Sequence, residues 1–589
     1  MIRFAVFACF LPLAALAQEA ADAVAPEGAG AGQVTASDAA NQAQASKAEG
    51  KPVEAQNWMV AAANPLAVDA GARVLRQGGT AADAMVAVQA VLGLVEPQSS
   101  GLGGGAFLVW YDGASGELTT LDGRETAPLA ATPRLFQDEN GEPMGFFDAV
   151  VGGRSVGTPG TPLLMRKAQE KWGRAEWASL FDDAIALAEK GFAVSPRMAG
   201  AVAGDAERLS THPVTSAYFL PGGVPVAEGH ILKNPDYAES LRALSIGPQA
   251  FYTGDIARDI VNAVQGADNP GVLSMLDFAI FKVKEREAVC AVYRGHDVCG
   301  MGPPSSGALT VGQILGLLNG FDIAGLGHED PETWRLIGDA SRLAFADRGR
   351  YMADNDFVPV PAKGLVDPAY LAERARLLTN DEALPEVAPG SPDFDHALNW
   401  ADDTSLELPS TSHISIVDQY GNALSMTTTI ENGFGSRVMV RGFLLNNELT
   451  DFSFRSHVDG VPIANRVEPG KRPRSSMAPT IVLKDGKPVL VVGSPGGSRI
   501  IGYVAKTIIA HLDWGMDVQE AIDLPHLVNR FGSYDVEAGR VPARMINALS
   551  DQGYEISPRP LISGLHAISI GEGLQGGADN RREGVAIGE

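Results

Sequence analysis

The chain opens on MIRFAVFACFLPLAALA, in which one cation, Arg3, precedes an apolar run that reaches Ala17. The run closes on Ala15-Leu16-Ala17, the small-x-small pattern of a signal-peptidase site, so residues 1–17 read as a cleaved export signal. It is too short to span a bilayer, and no other stretch holds the roughly 18 uninterrupted apolar residues that a span needs. A periplasmic or secreted protein is expected. From Gln18 to Gln56 the chain is rich in Ala, Gly, Glu and Gln with few large apolar residues. Such a segment cannot offset its ordering entropy, which predicts a disordered spacer over 18–56 and a folded domain from about Trp58.

Helical periodicity begins at Asn64-Pro65, an N-cap followed by proline at the first helical position, and runs to Gln77 before Gly78-Gly79. Thr80 caps a second helix, with Asp83 three residues on and Val86, Val91 and Leu94 at helical spacing. An apolar strand, AFLVWY, then ends in a turn at Asp112-Gly113. Helical patterns dominate 160–260 and 310–380; strand patterns take over from 411 to about 500, ahead of the helix IIGYVAKTIIAHLDW. Helix-rich and strand-rich blocks sharing one core predict a layered α+β domain.

Two hairpins carry candidate chemistry. In VCAVYRGHDVCG, a two-residue turn at Arg294-Gly295 sets Cys290 opposite Cys299 in a non-hydrogen-bonded pair, where side chains come closest. An oxidising compartment permits a disulfide there; two free thiols are the alternative. In LPSTSHISIVDQYGNALSMTTTI, a three-residue loop at Gln419-Tyr420-Gly421 sets Thr411 opposite Thr429, His413 opposite Thr427 and Ser415 opposite Ser425. One face is then all hydroxyl and imidazole, while the other carries Ile414, Ile416, Leu424 and Met426. A solvent-facing Thr/Ser sheet would look the same, and a two-residue loop would undo the pairing.

Charge narrows the classes further. With 46 Lys+Arg against 71 Asp+Glu the net charge is −25, which argues against a general binder of nucleic acid or anionic membrane. The Gly-rich stretches GLGGG and GSPGGS lack the Gly-Lys-Ser/Thr ending of a phosphate loop. The ten His residues form no HExxH or comparable cluster, so neither a metal nor a cofactor is expected.

Thr411-Ser412-His413-Ile414-Ser415 resembles the Thr-x-His-x-Ser signature of gamma-glutamyltranspeptidases (glutathione hydrolases), which are N-terminal-nucleophile hydrolases. The resemblance runs over nearly all of 58–580 through AANPLAVDAGARVLRQGGTAADA, EPQSSGLGGGAFLV, DGRETAP, MGPPSSGALT, LLNNELTDFS, KRPRSSMAPT and GSPGGSRI, in the family's order. It implies a four-layer αββα sandwich built jointly by two chains after self-cleavage between Ser410 and Thr411, a large subunit over 57–410 and a small catalytic one over 411–589.

The same resemblance assigns roles. Thr411 would be the nucleophile, Thr429 its hydrogen-bond partner, and Gly496 and Gly497 the oxyanion donors. Arg124 with Ser475 and Ser476 would hold a donor's α-carboxylate, and Glu448 and Asp451 its α-ammonium. Two departures are visible. Glu431 stands where several members have Asn, so it or Asn432 takes that place. The stretch from Phe452 to Ser475, a lid in several members, is short and lacks Tyr. The implied substrates are glutathione and other γ-glutamyl compounds, with water, amino acids or peptides as acceptors. The alternatives are an acylase for other amides, such as cephalosporins, and a non-catalytic binding protein on the same fold.

Overall fold

The computed structural model describes residues 36–396, 399–403, 405 and 410–589. The expected export signal and the first half of the expected spacer lie outside them. Two seven-stranded sheets stack face to face. The first runs Val585–Gly588, Met59–Ala62, Ser412–Val417, Ala423–Thr429, Gly105–Tyr111, Leu118–Gly123, Lys284–Arg286. The second runs Val53–Ala55, Leu574–Ala578, His566–Ile570, Lys487–Gly493, Thr480–Lys484, His296–Met301, Ala288–Tyr293. Helices Pro65–Arg76 and Ala81–Val95 bury their apolar faces on the outside of the first sheet. Helices Gly307–Leu318, Pro331–Tyr351 and Ile500–Leu512 cover the second. A smaller apolar cluster including Met59, Val109, Ile481 and Val491 fills the space between the sheets. This is the expected αββα sandwich. Among the described residues no helix is long and apolar enough to cross a membrane.

Local chemistry explains the elements around the centre. Asn64 accepts from the Leu66 N–H at 3.0 Å and Pro65 opens the first helix. Thr80 and Asp83 close the expected capping box on the second. The central hairpin turns at Gly421, whose φ of 79° suits a residue without a Cβ. Its register pairs His413 with Thr427 and Ser415 with Ser425, as the sequence predicts. The Cys290–Cys299 hairpin turns on Arg294 and Gly295, both at positive φ, and a disulfide joins the two cysteines.

The spacer reading needs correction. Residues 38–48 form a helix capped by Ser37, with Ala40 and Ala43 buried, and Val53–Ala55 adds an edge strand to the second sheet. The segment has few large apolar side chains to bury. Here docking needs only small alanines of high helix propensity, plus polar ties such as the 2.9 Å bond from Ser37 N–H to Asp69.

The polar hairpin face does not meet solvent; it faces the second sheet. His413 Nδ1 meets Thr427 Oγ1 at 2.9 Å and its Nε2 meets Ser415 Oγ at 3.0 Å. Ser415 donates to the His566 carbonyl at 3.1 Å, and Ser425 to the Val492 carbonyl at 3.2 Å. A Cβ on Gly493 would sit 2.2 Å from the His413 ring, so glycine there makes room for the imidazole.

Burial pushes the His566 imidazole down to about 3; Lys47 and Arg582 push the same way, and Asp579 opposes them. The unfolded chain takes up that proton near pH 6.5, so the stability His566 lends is intact above 6.5 and is lost as pH falls toward 3. At pH 5 the loss is about 2 kcal/mol. Chemical denaturation at pH 7 and pH 5 should show wild type losing that much more than His566→Gln. Equal losses would place His566 outside this linkage.

Candidate active site

The hairpin register brings Thr411, just ahead of one strand, to Thr429 at the end of its neighbour. The two hydroxyl oxygens lie 3.3 Å apart. Thr429 donates to the Ser410 carbonyl at 3.1 Å and accepts from the Glu431 N–H at 2.8 Å. Thr411 Oγ1 also reaches the Ser410 carbonyl. Two hydroxyls thus grip the carbonyl of the peptide that joins residues 410 and 411. Ser410 is held through its own hydroxyl by the Gln98 carbonyl at 2.8 Å, and the Thr411 carbonyl accepts from Arg582 Nη1 at 3.2 Å.

Around this joint one cleft is lined by Arg124, Ser410, Thr411, Thr429, Glu431, Glu448, Asp451, Ser475, Ser476 and Gly497, together with Met477 and Ile500. The expected site residues therefore converge, with Gly496 adjoining Gly497. Of the two candidates at the Asn position, Glu431 lines the cleft and Asn432 does not.

The strand Leu118–Gly123 delivers Arg124, which ion-pairs with Glu448 and Asp451 on the turn Glu448–Asp451. The guanidinium also donates to the Arg474 carbonyl at 2.9 Å. Burial weakens its hold on the proton, but Glu448 and Asp451 outweigh that and raise it above the usual Arg value. The groups expected to hold opposite ends of a zwitterion thus hold each other, buried from water. Glu431 takes a hydrogen bond from the Asn447 side chain. Ser475 Oγ accepts from the Met477 N–H at 3.1 Å, and Ser476 Oγ accepts from Arg348 Nη2 at 2.7 Å. Gly496 has a φ of 141°, and a Cβ there would meet the Tyr503 ring at 2.7 Å. Gly497 opens the turn that runs into helix Ile500–Leu512, and the first N–H groups of a helix have no acceptor within it.

Several supporting residues escape a sequence reading. Arg348 is buried on helix Pro331–Tyr351 and braces both Ser476 and, at 2.8 Å, Ser306. Glu125 is buried beside Arg124, and burial together with the Glu448 charge raises its carboxyl well above the usual range. Glu96 accepts from Ser412 and ion-pairs with Arg197, while burial pushes it up to about 8. Only position in three dimensions marks these residues; their sequence signal is at most a charge inside an apolar run.

Chemically, the cleft offers a hydroxyl beside the carbonyl of the 410–411 peptide, backbone donors at a helix start, and a guanidinium among carboxylates. Such a set suits acyl transfer from a substrate with a free amino-acid head group.

The gamma-glutamyltranspeptidase family model matches residues 67–589. A glutathione hydrolase proenzyme of Bacillus subtilis (strain 168) is 39% identical over 548 residues, covering 90% of this chain and 92% of its own. An acylase ACY 1 proenzyme of Pseudomonas sp. (strain SE83) is 33% identical, covering 92% and 95%. Among solved structures, the cephalosporin acylase from Bacillus halodurans aligns with a TM-score of 0.81 at 25% identity, over 92% of this chain and 97% of that one. The convergent cleft, the sandwich and these matches place the chain in the gamma-glutamyltranspeptidase family.

Proposed function

We propose that the chain is a self-processing γ-glutamyltransferase and glutathione hydrolase that uses Thr411 as its nucleophile. In maturation the Thr411 Oγ attacks the Ser410 carbonyl carbon, an ester forms as the C–N bond breaks, and the hydroxyl proton passes to the leaving nitrogen. Water then hydrolyses the ester. The products are a large chain ending at Ser410 and a small one beginning with a free α-amine on Thr411. An α-amine titrates near 8, so enough is neutral at working pH to serve as general base for its own hydroxyl. In turnover Thr411 Oγ attacks the γ-carbonyl carbon, the amide C–N bond breaks, and the amine leaves with the hydroxyl proton relayed through the α-amine. Water, an amino acid or a peptide then takes the γ-glutamyl group from the ester and gives its proton back. Gly496 and Gly497 stabilise the oxyanion.

The observation that carries this reading is the charge set of the cleft. Arg124, Ser475 and Ser476 suit the donor's α-carboxylate, and Glu448, Asp451 and Glu431 suit its ammonium. The substrate exchanges one buried ion pairing for another as it enters. A second reading, an acylase for other amides, draws support from the likeness to the Pseudomonas acylase and the Bacillus halodurans structure. An acyl group without an α-ammonium would bring no cation to a cleft lined by three carboxylates, which disfavours it. The leader over 1–17 supports export to the periplasm or medium.

Intact mass under denaturing conditions tests the nucleophile. Wild type should give two chains, the smaller starting at Thr411, and Thr411→Ala a single chain; a wild type that stays whole would sink the proposal. Glu431→Asn should leave cleavage intact and raise KM for a γ-glutamyl anilide roughly ten-fold, the scale of one charge-assisted contact. An unchanged KM would remove Glu431 from donor binding.

A further inference from the structure

The helix Asp38–Ala48 lies ahead of the residues that the family model matches, yet its last turn reaches the far end of the chain. Lys47 is half-buried there. Its ammonium donates to three main-chain carbonyls, those of Gly584 at 2.6 Å, Arg582 at 2.9 Å and Asp579 at 3.4 Å. The segment so held carries Arg582, whose guanidinium donates to the Thr411 carbonyl. Beyond it, the strand Val585–Gly588 pairs with Met59–Ala62, which itself pairs with Ser412–Val417.

We infer that Lys47 is a positioning residue for self-cleavage: the helix Asp38–Ala48 clamps the turn Asp579–Gly584, and Arg582 on that turn fixes the Thr411 peptide. The inference rests on Ser410–Thr411 being the cleaved bond. A fixed Thr411 carbonyl sets the orientation of the residue and keeps Oγ1 on the Ser410 carbonyl, and a small misplacement of reacting atoms costs rate steeply. An ammonium partly withdrawn from water is costly unless its N–H groups are matched, and three converging carbonyls match all three. The charged groups facing it are Asp579, Asp523 and Glu583, which favour the ammonium, and Lys47 in turn disfavours the protonated form of His566. Burial outweighs the carboxylates and lowers Lys47 to about 8. A neutral amine donates fewer and weaker hydrogen bonds, so the clamp loosens as pH rises through that value. Cleavage precedes any free α-amine on Thr411, so its pH profile reports the clamp without interference from that group.

The test follows cleavage of freshly synthesised full-length precursor by denaturing electrophoresis and intact mass from pH 6 to 10. Wild type should slow as pH passes 8. Lys47→Arg should still cleave, without that alkaline fall, and Lys47→Met should cleave roughly ten-fold slower at pH 7. Near-ultraviolet circular dichroism of each variant in the Thr411→Ala background reports folding. Should Lys47→Met not fold, wild type and Lys47→Arg decide the matter through their profiles. Equal rates for wild type and Lys47→Met, or the same alkaline profile for wild type and Lys47→Arg, would overturn the clamp. A wild type that stays whole at every pH would overturn the cleavage reading and the clamp with it.

Discussion

The site depends on the register of one hairpin. A slip of one residue between Ser412–Val417 and Ala423–Thr429 would turn every side chain to the other face, taking Thr411 from Thr429 and driving Ile414 and Ile416 against the second sheet. Both faces resist that slip. The aliphatic face packs against helices Pro65–Arg76 and Ala81–Val95, and the polar face meets hydrogen-bond partners on the second sheet. A slipped hairpin would strand buried hydroxyls and imidazoles without partners, each at about 1–3 kcal/mol. The hydroxyl seam therefore specifies a single register, and with it the geometry at Thr411.

Charge is arranged with the same economy. Arg124, Glu448 and Asp451 are buried, so removing one partner leaves an uncompensated ion in a poor solvent. At the neighbouring Glu125, burial and the Glu448 charge both disfavour the anion and raise the carboxyl well above the usual range. The outcome is a polar cleft whose internal ion pairs are exchanged for pairs with the substrate when a zwitterion arrives.

The capping signals at Asn64 and Thr80, the central hairpin and the cysteine hairpin were legible in the sequence, because each rests on contacts only a few residues apart. The convergence of Arg124, Glu448, Asp451 and Ser475 was legible only through family resemblance, since no local pattern ties residues hundreds of positions apart. The helix Asp38–Ala48 is hidden in the sequence for a related reason. Its Ala, Gln and Lys content looks like a solvated spacer until the carbonyls of Asp579, Arg582 and Gly584 supply partners for the Lys47 ammonium. Arg348 and Glu96 are the same case: their roles come from distant neighbours that charge patterning cannot show.

The position of the 410–411 joint explains how a chain could be cut there without coming apart. Ladder pairing begins at Ser412, so the bond lies just outside the sheet and its loss removes no backbone ladder hydrogen bond. Each sheet also mixes strands from both sides of the joint: Ser412–Val417 lies between Met59–Ala62 and Ala423–Thr429, and Thr480–Lys484 between His296–Met301 and Lys487–Gly493. Two chains separated at this point would share one core in each layer, and pulling them apart would expose the interior of both sheets. The association of such chains is then the folding energy itself. The freed amine would emerge at the strand end beside Thr429, in the cleft where a base is needed, with Arg582 still holding the carbonyl that follows.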